Sequence, residues 1–312
     1  MALLIAKSHN VKLVKDMIHE RLCGWEKPRP HGTIHASELM KELEFCPREW
    51  ALLDLNKGKK KDQFVGTALR LTFDHGRSIE KAMRNDWLRD VAVGSWRCTV
   101  CGSKHPHFGK EPKVSCSCGY KSWEYEEARF ASPLSGVSGG LDLFIDMGEP
   151  KLRIVEIKTM DKDEFKKLEA PLAEHKFRTS LYMQLADESA DGISQRVNTS
   201  YSTLLYVSKS FGFKDLTLRE AGIKDSPFSP FKEFIIKRDD SITKTPVAKA
   251  TVLHRWRLGG MKGMPCGVCQ SGLTKRAQQC SSVGACFSGA HPATLTWMEA
   301  GVPRHPGKTV IG

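Results

Sequence analysis

The chain reads as a mixed α/β domain, a central mixed sheet flanked by helices. Three observations predict this. Residues 64–91 and 172–187 carry helical apolar spacing. Residues 137–158 alternate as paired strands do, around a turn at Gly148-Glu149-Pro150. All of the 10 cysteines except Cys23 and Cys46 fall into two tight clusters, one interrupting the domain and one near its end. With 312 residues and 40% hydrophobic content, the chain can bury a real core and is not disordered.

Along the chain, residues 8–22 have helical apolar spacing (Val11, Val14, Met17, Ile18, Leu22), and Gly24 to Gly32 reads as a Pro-rich loop. Ser37 is placed as a helix N-cap leading toward Cys46-Pro47-Arg48. In residues 64–91, Ile79, Met83 and Trp87 recur every fourth position and predict one buried stripe. Residues 96–122 are rich in Cys, Gly, Pro and His without periodicity and read as a metal-stapled insertion. Leu204–Val207 and Phe234–Ile236 are short strand candidates, and from about residue 265 the chain is rich in Cys, Gly and Pro and ends in a loose tail. The expected units are 1–62, an N-terminal helical segment carrying Cys46; 63–240, the core with its 96–122 insertion; and 241–312, a C-terminal Cys-rich segment.

Lys and Arg number 48 against 36 acids, a formal charge of +12. Such an excess favours a polyanionic partner, because bound phosphates release their counterions. No apolar run approaches the roughly 18–20 residues of a membrane span. Met1 to Ala6 is apolar but too short for a secretory leader, so the expected location is a cytoplasm. There, close-spaced cysteines point to metal rather than disulfides.

The strand Val155-Glu156-Ile157-Lys158 is the most informative segment. Side chains two apart share a face, so Glu156 and Lys158 point together while Val155 and Ile157 face a core. Asp142, on the partner strand, can lie across from them. Two carboxylates and an ammonium on a rigid sheet suit phosphodiester hydrolysis. Mg²⁺ or Mn²⁺ takes hard oxygen ligands and can acidify an attacking water, and Lys158 can orient that water or stabilise the phosphate. Asp plus Glu-x-Lys alone also fits a surface salt bridge.

Five blocks together carry more. Ser37 followed by Phe45-Cys46-Pro47-Arg48, Phe73-Asp74-His75-Gly76-Arg77-Ser78-Ile79-Glu80, Gly139-Gly140-Leu141-Asp142, Glu156-Ile157-Lys158-Thr159, and a helix with Arg178 and Tyr182 stand in order along residues 37–287. They resemble the RecB-like branch of the PD-(D/E)XK nucleases, which includes phage exonucleases and CRISPR-adaptation nucleases. The resemblance implies a restriction-endonuclease-like core and a metal-dependent deoxyribonuclease, exonuclease rather than endonuclease, acting on single-stranded or duplex DNA ends in recombination, replication or DNA processing. If phage-encoded, it would work in the host cytoplasm beside phage recombination or replication proteins. The catalytic ion would be held by Glu80, Asp142, Glu156 and Ile157, with Lys158 assisting; DNA would meet Arg178, Tyr182 and Lys209. Two positions depart from the family pattern: Glu80 stands where many relatives carry His, and Arg178 where they carry Gln. His75 and Gln184 are the weaker stand-ins. These departures keep a second reading open, an inactive nuclease-fold module that binds DNA or a replisome partner.

Cys98-x-x-Cys101 and Cys116-x-Cys118, with Gly102 and Gly119 at the turns, predict a tetrahedral zinc ribbon with His105 and His107 in reserve. For the second cluster the resemblance implies a [4Fe–4S] group on Cys46, Cys269, Cys280 and Cys286. A second zinc site using Cys266 in place of Cys46 is the alternative.

Overall fold

The structure, a computed structural model, describes residues 14–288 except 28, 30–31, 41–43, 58–59, 61, 190–194 and 211–228. Its centre is a four-stranded mixed sheet, built around β9 (Arg153–Met160) and β10 (Tyr201–Ser208). These two run parallel, with Leu204 opposite Glu156 and Tyr206 opposite Lys158. Parallel neighbours need a crossover, which α4 (Lys162–Lys167) and α5 (Ala173–Glu188) supply. β11 (Phe231–Lys237) and β8 (Leu143–Ile145) flank the pair, both antiparallel.

Both faces of this sheet are covered, so its strands read as near-continuous apolar runs. Phe144, Ile154, Leu204, Tyr206 and Ile236 face one core, which also contains residues of α5, of α2 (Pro47–Asp54), of α6 (Asp240–Arg257) and of a three-stranded sheet. That second sheet has the order β2 (Ile34–His35), β7 (Val137–Leu141), β6 (Ala128–Ala131). Leu143, Val155, Ile157 and Val207 face the other core. Trp96, Trp123 and Tyr125 cover them from the hairpin of β4 (Ser95–Cys98) and β5 (Trp123–Glu126), as does Met83 just beyond α3 (Thr67–Ala82).

The expected fold class is present: mixed sheets between helices, with a cysteine-bearing insertion and a cysteine-rich C-terminal part. Several local expectations change. Residues 137–158 are not one hairpin. β7 pairs with β6 and β2, and only β8 pairs with β9, so the chain passes from one sheet to the other at Asp142. Ser37 caps no helix; it lies inside a single 3₁₀ turn, Ala36–Glu38. Gly24–Glu26 is a strand, β1, paired with β3 (Gln63–Val65) rather than a loop. The helix read at 8–22 is described only as α1 (Val14–Leu22), which buries no residue. Residues 289–312, the expected tail, lie outside the described residues.

The stripe Ile79–Met83–Trp87 breaks at its last member. Residues 83–87 form a π turn, closed by the Leu88 amide donating to the Met83 carbonyl (2.9 Å). The wider turn advances the helix by an extra residue and rotates Trp87 to solvent, 59% exposed. Asn85 turns inward instead, and its Oδ1 accepts the Tyr125 amide at 2.6 Å. Among the described residues no helix is long and apolar enough to cross a membrane.

Met83→Ala should therefore cost roughly 2–5 kcal/mol of folding stability. Trp87→Ala should stay within about 0.5 kcal/mol. Urea unfolding of the two variants measures the difference; equal losses would mean that Trp87 is packed after all.

Candidate active site and cysteine centres

Asp142 stands at the switch between sheets, where β8 begins to pair with β9. Past that point the Ile157 amide of β9 has no strand partner on this side, and the Asp142 Oδ2 accepts it at 2.8 Å. The carboxylate is thus fixed by a main-chain donor. From β9, Glu156 projects toward α5 and is 1% exposed. The Lys158 Nζ lies 2.5 Å from the Glu156 Oε1 and 3.9 Å from the Asp142 Oδ2, and it donates to the Ile157 carbonyl at 2.9 Å. Ile157 is fully buried and has only its main chain to offer the site.

The helices bring the rest. Gly76 lets α3 approach β9 closely: a Cβ there would stand 2.8 Å from the Thr159 hydroxyl. One turn on, Glu80 lies close enough to feel Asp142, Lys158 and Arg84. On α5, Arg178 and Tyr182 share a face, as their spacing requires. The Arg178 Nη1 is 3.6 Å from the Glu156 Oε1. Tyr182 is buried over Gly139, where a Cβ would stand 2.6 Å from the ring. Gln184 faces α6 instead, accepting the Thr243 hydroxyl.

Electrostatics follow from burial. The Glu156 carboxyl is pushed up to about 7 by burial and by the neighbouring Asp142 charge, against the pull of Lys158 and Arg178. Burial and Asp142 raise Glu80 to about 6. For Lys158, burial alone would lower the ammonium; Glu156 and Asp142 overcome it and hold the group above its ordinary value. His175, one turn before Arg178 on α5, is lowered to about 4 by burial and by Lys158 and Arg178, so its imidazole is neutral; its Nδ1 sits 2.8 Å from the Tyr206 hydroxyl.

The donor set suits a hard divalent cation. Asp142 and Glu156 flank Lys158, Glu80 lies near enough to feel the Asp142 charge, and the Glu156 Oε2 is buried with no hydrogen-bond partner. Such an orphaned oxygen is costly unless something positive meets it. Lys209 lies apart from this group: its Nζ donates to the Thr72 carbonyl on α3 (3.4 Å) and its amide to the Met160 carbonyl. Sequence spacing missed Arg84, Glu127 and His175. Arg84 follows Glu80 by four residues, a helical signal that was available; Glu127, between two strands, carries none.

Cys98, Cys101, Cys116 and Cys118 come together at the tip of the β4–β5 hairpin, their sulfurs within 4.8 Å of one another, and could hold a metal ion. The Cys98 and Cys118 sulfurs are 3.6 Å apart, those of Cys101 and Cys116 3.5 Å. Gly102 and Gly119 take the positive φ values, 74° and 87°, that turn the main chain around them. His105 and His107 are not part of the group; the ring of His105 packs edge-on against Trp123.

At the other end, Cys46, Cys269, Cys280 and Cys286 line one small cavity, together with Glu49 and Arg276. Cys266 does not line it, but packs with Val252 and lies near Lys249. The walls are tied together across the chain. The Arg276 Nη2 pairs with the Glu49 Oε2 (2.6 Å), and Ser281 donates its amide and hydroxyl to the Glu49 Oε1. Burial would raise the Glu49 carboxyl, but Arg276 and Ser281 outweigh it and hold it low. Main-chain N–H groups of Glu49 and Val268 point at the Cys46 sulfur, a donor pattern that favours a thiolate. Burial nevertheless pushes the uncomplexed Cys46 thiol up to about 11.

No family model matches the sequence, and no curated protein matches it. In shape the chain is similar to the solved structure of SSO0001, at 16% identity over 78% of this chain and 83% of that one, with a TM-score of 0.32. It is also similar to an alkaline exonuclease from Laribacter hongkongensis, at 9% identity over 78% of this chain and 93% of that one, with a TM-score of 0.39.

The raised Glu156 carboxyl has a measurable consequence. It ionises near 4.5 in the unfolded chain and near 7 in the fold, so across that window the folded state keeps a proton the unfolded state has lost. The stability it contributes is present below pH 4.5 and is lost as pH rises through 7. With chelator present, urea unfolding should show a decline on the order of 1–3 kcal/mol over this window. Glu156→Gln should flatten it; an equally steep decline in that variant would place the titration elsewhere.

Proposed function

We propose that this chain is a divalent-metal-dependent deoxyribonuclease of the PD-(D/E)XK type, more specifically an exonuclease. The observation that carries the reading is the meeting of Asp142 and Glu156 at the Lys158 ammonium, with one buried Glu156 oxygen unpartnered. Glu80 joins them from α3. A bound Mg²⁺ or Mn²⁺ would supply Lewis acidity and a more acidic water. Asp142, Glu156, Glu80 and the Ile157 carbonyl are the oxygens that would hold it.

The protein's own groups do the rest. Lys158 is held by Glu156 and the Ile157 carbonyl, so its charge is aimed into the site before any substrate arrives. There it steadies a water or a non-bridging phosphate oxygen. Arg178, planar and anchored on Glu156, presents its remaining N–H groups for phosphate. The net charge of +12 supports a polyanionic substrate. In this reading Lys209 meets the DNA backbone beyond the cleavage point, and Tyr182 sets the wall behind Glu156.

The two cysteine groups serve as staples. Zinc on Cys98, Cys101, Cys116 and Cys118 would fasten the hairpin tip. A [4Fe–4S] group on Cys46, Cys269, Cys280 and Cys286 would join the start of α2 to the C-terminal turns, as four cysteines lining one cavity suit it.

End-labelled linear DNA with Mg²⁺ or Mn²⁺ tests the activity: linear DNA should be degraded and closed circular DNA spared. Asp142→Ala and Lys158→Ala should each lower the rate by about 100-fold or more. Undiminished cleavage by either variant defeats the assignment, and metal-independent DNA binding without cleavage of any substrate makes the chain a binding module.

Metal analysis of anaerobically purified protein should find iron with acid-labile sulfide, lost in Cys46→Ser, beside one zinc lost in Cys98→Ser. Two zincs and no iron would overturn the cluster.

A further inference from the structure

Two charged side chains outside the sequence motifs lie against this site. Arg84 stands four residues after Glu80, where α3 passes into the π turn, and its side chain is 12% exposed. Its Nη1 donates to the Glu127 Oε1 at 2.8 Å and to the Asp142 main-chain carbonyl at 3.4 Å. Glu127 is the single residue between β5 and β6. Its second oxygen lies over Gly140, where a Cβ would stand only 3.0 Å from Oε2, so the glycine immediately beyond Gly139 leaves room for a carboxylate. Among the described residues that Oε2 accepts no hydrogen bond. A fourth acid near Glu80 and Asp142 is repelled unless a cation holds it, and Arg84 is the cation in contact.

We propose that Glu127 is an additional ligand for the divalent ion at this site, and that Arg84 is the positioning residue holding it against Asp142. This rests on the nuclease-site reading for Glu80, Asp142 and Glu156. Arg84 occupies one oxygen of Glu127 and fixes the carboxylate; the other oxygen lies over Gly140, two residues before Asp142 on the same strand face, and the Glu127 charge is felt by Glu80. A hard cation with about six oxygen ligands has use for it. Arg suits the positioning task because its planar fork reaches a carboxylate and a carbonyl at once, which an ammonium does less well.

The test is Mn²⁺ binding to the full chain, by titration calorimetry and by electron paramagnetic resonance of free Mn²⁺, with melting temperatures recorded in chelator. Glu127 is partly exposed, so Glu127→Gln keeps the fold and carries the decision. It should weaken Mn²⁺ binding by about 10-fold or more, with an unchanged metal-free melting temperature. Arg84→Gln should weaken binding similarly, and Arg84→Lys should recover part of it. If Glu127→Gln binds Mn²⁺ like the wild type while Asp142→Asn does not, the role of Glu127 is overturned and the site stands. If Asp142→Asn also binds like the wild type, the metal-site reading itself fails, and this inference with it.

Discussion

A carboxylate buried to 1% exposure, Glu156, is the constraint around which the rest of this molecule is arranged. Stripping water from such a group costs several kcal/mol in practice. The fold meets that cost with cations: Lys158 from the same strand and Arg178 from α5. It does not meet it fully, since Asp142 adds a like charge and one Glu156 oxygen has no partner. A structure tuned only for stability would place an apolar residue here. Under the proposed function, a bound divalent cation would meet the remainder.

Holding these charges still requires rigid surroundings. The parallel pairing of β9 with β10 fixes the register of Glu156 and Lys158. The passage of the chain between two sheets at Asp142 frees the amide that pins its carboxylate. Gly76 and Gly139 let α3 and Tyr182 approach to distances that any side chain would prevent. Small residues in the motif blocks thus act by closeness, while the acids act by charge.

The two cysteine groups belong to different covering layers, one packed with each core. One sits at the tip of the hairpin that supplies Trp96, Trp123 and Tyr125 to the second core, and could hold a metal ion there. The other joins α2 to the turns after α6, where Glu49 is gripped by Arg276 and Ser281. The second group brings together segments distant in sequence, which local helix or strand preference cannot do.

Much of this was legible in the residues. Alternation along 153–160 put Glu156 and Lys158 on one face, the (i, i+4) spacing put Arg178 with Tyr182, and Cys-x-x-Cys with its glycine announced a knuckle. These are local facts: backbone periodicity and turn sterics settle them within a few residues. Other features depended on long-range packing. That residues 137–158 split between two sheets, that a π turn expels Trp87, that Lys209 lies against α3, and that Arg84 reaches Asp142 while holding Glu127 were decided only in the folded chain. Cys46 and Cys266 were both plausible partners for the C-terminal cysteines by spacing, and only the packing of α2 against α7 (Val283–Phe287) sets Cys46 on the cavity wall. The sequence by itself determined which side chains each strand or helix presents on a common face; tertiary structure decided which faces meet, because that depends on burial summed over the whole core and not on any one segment.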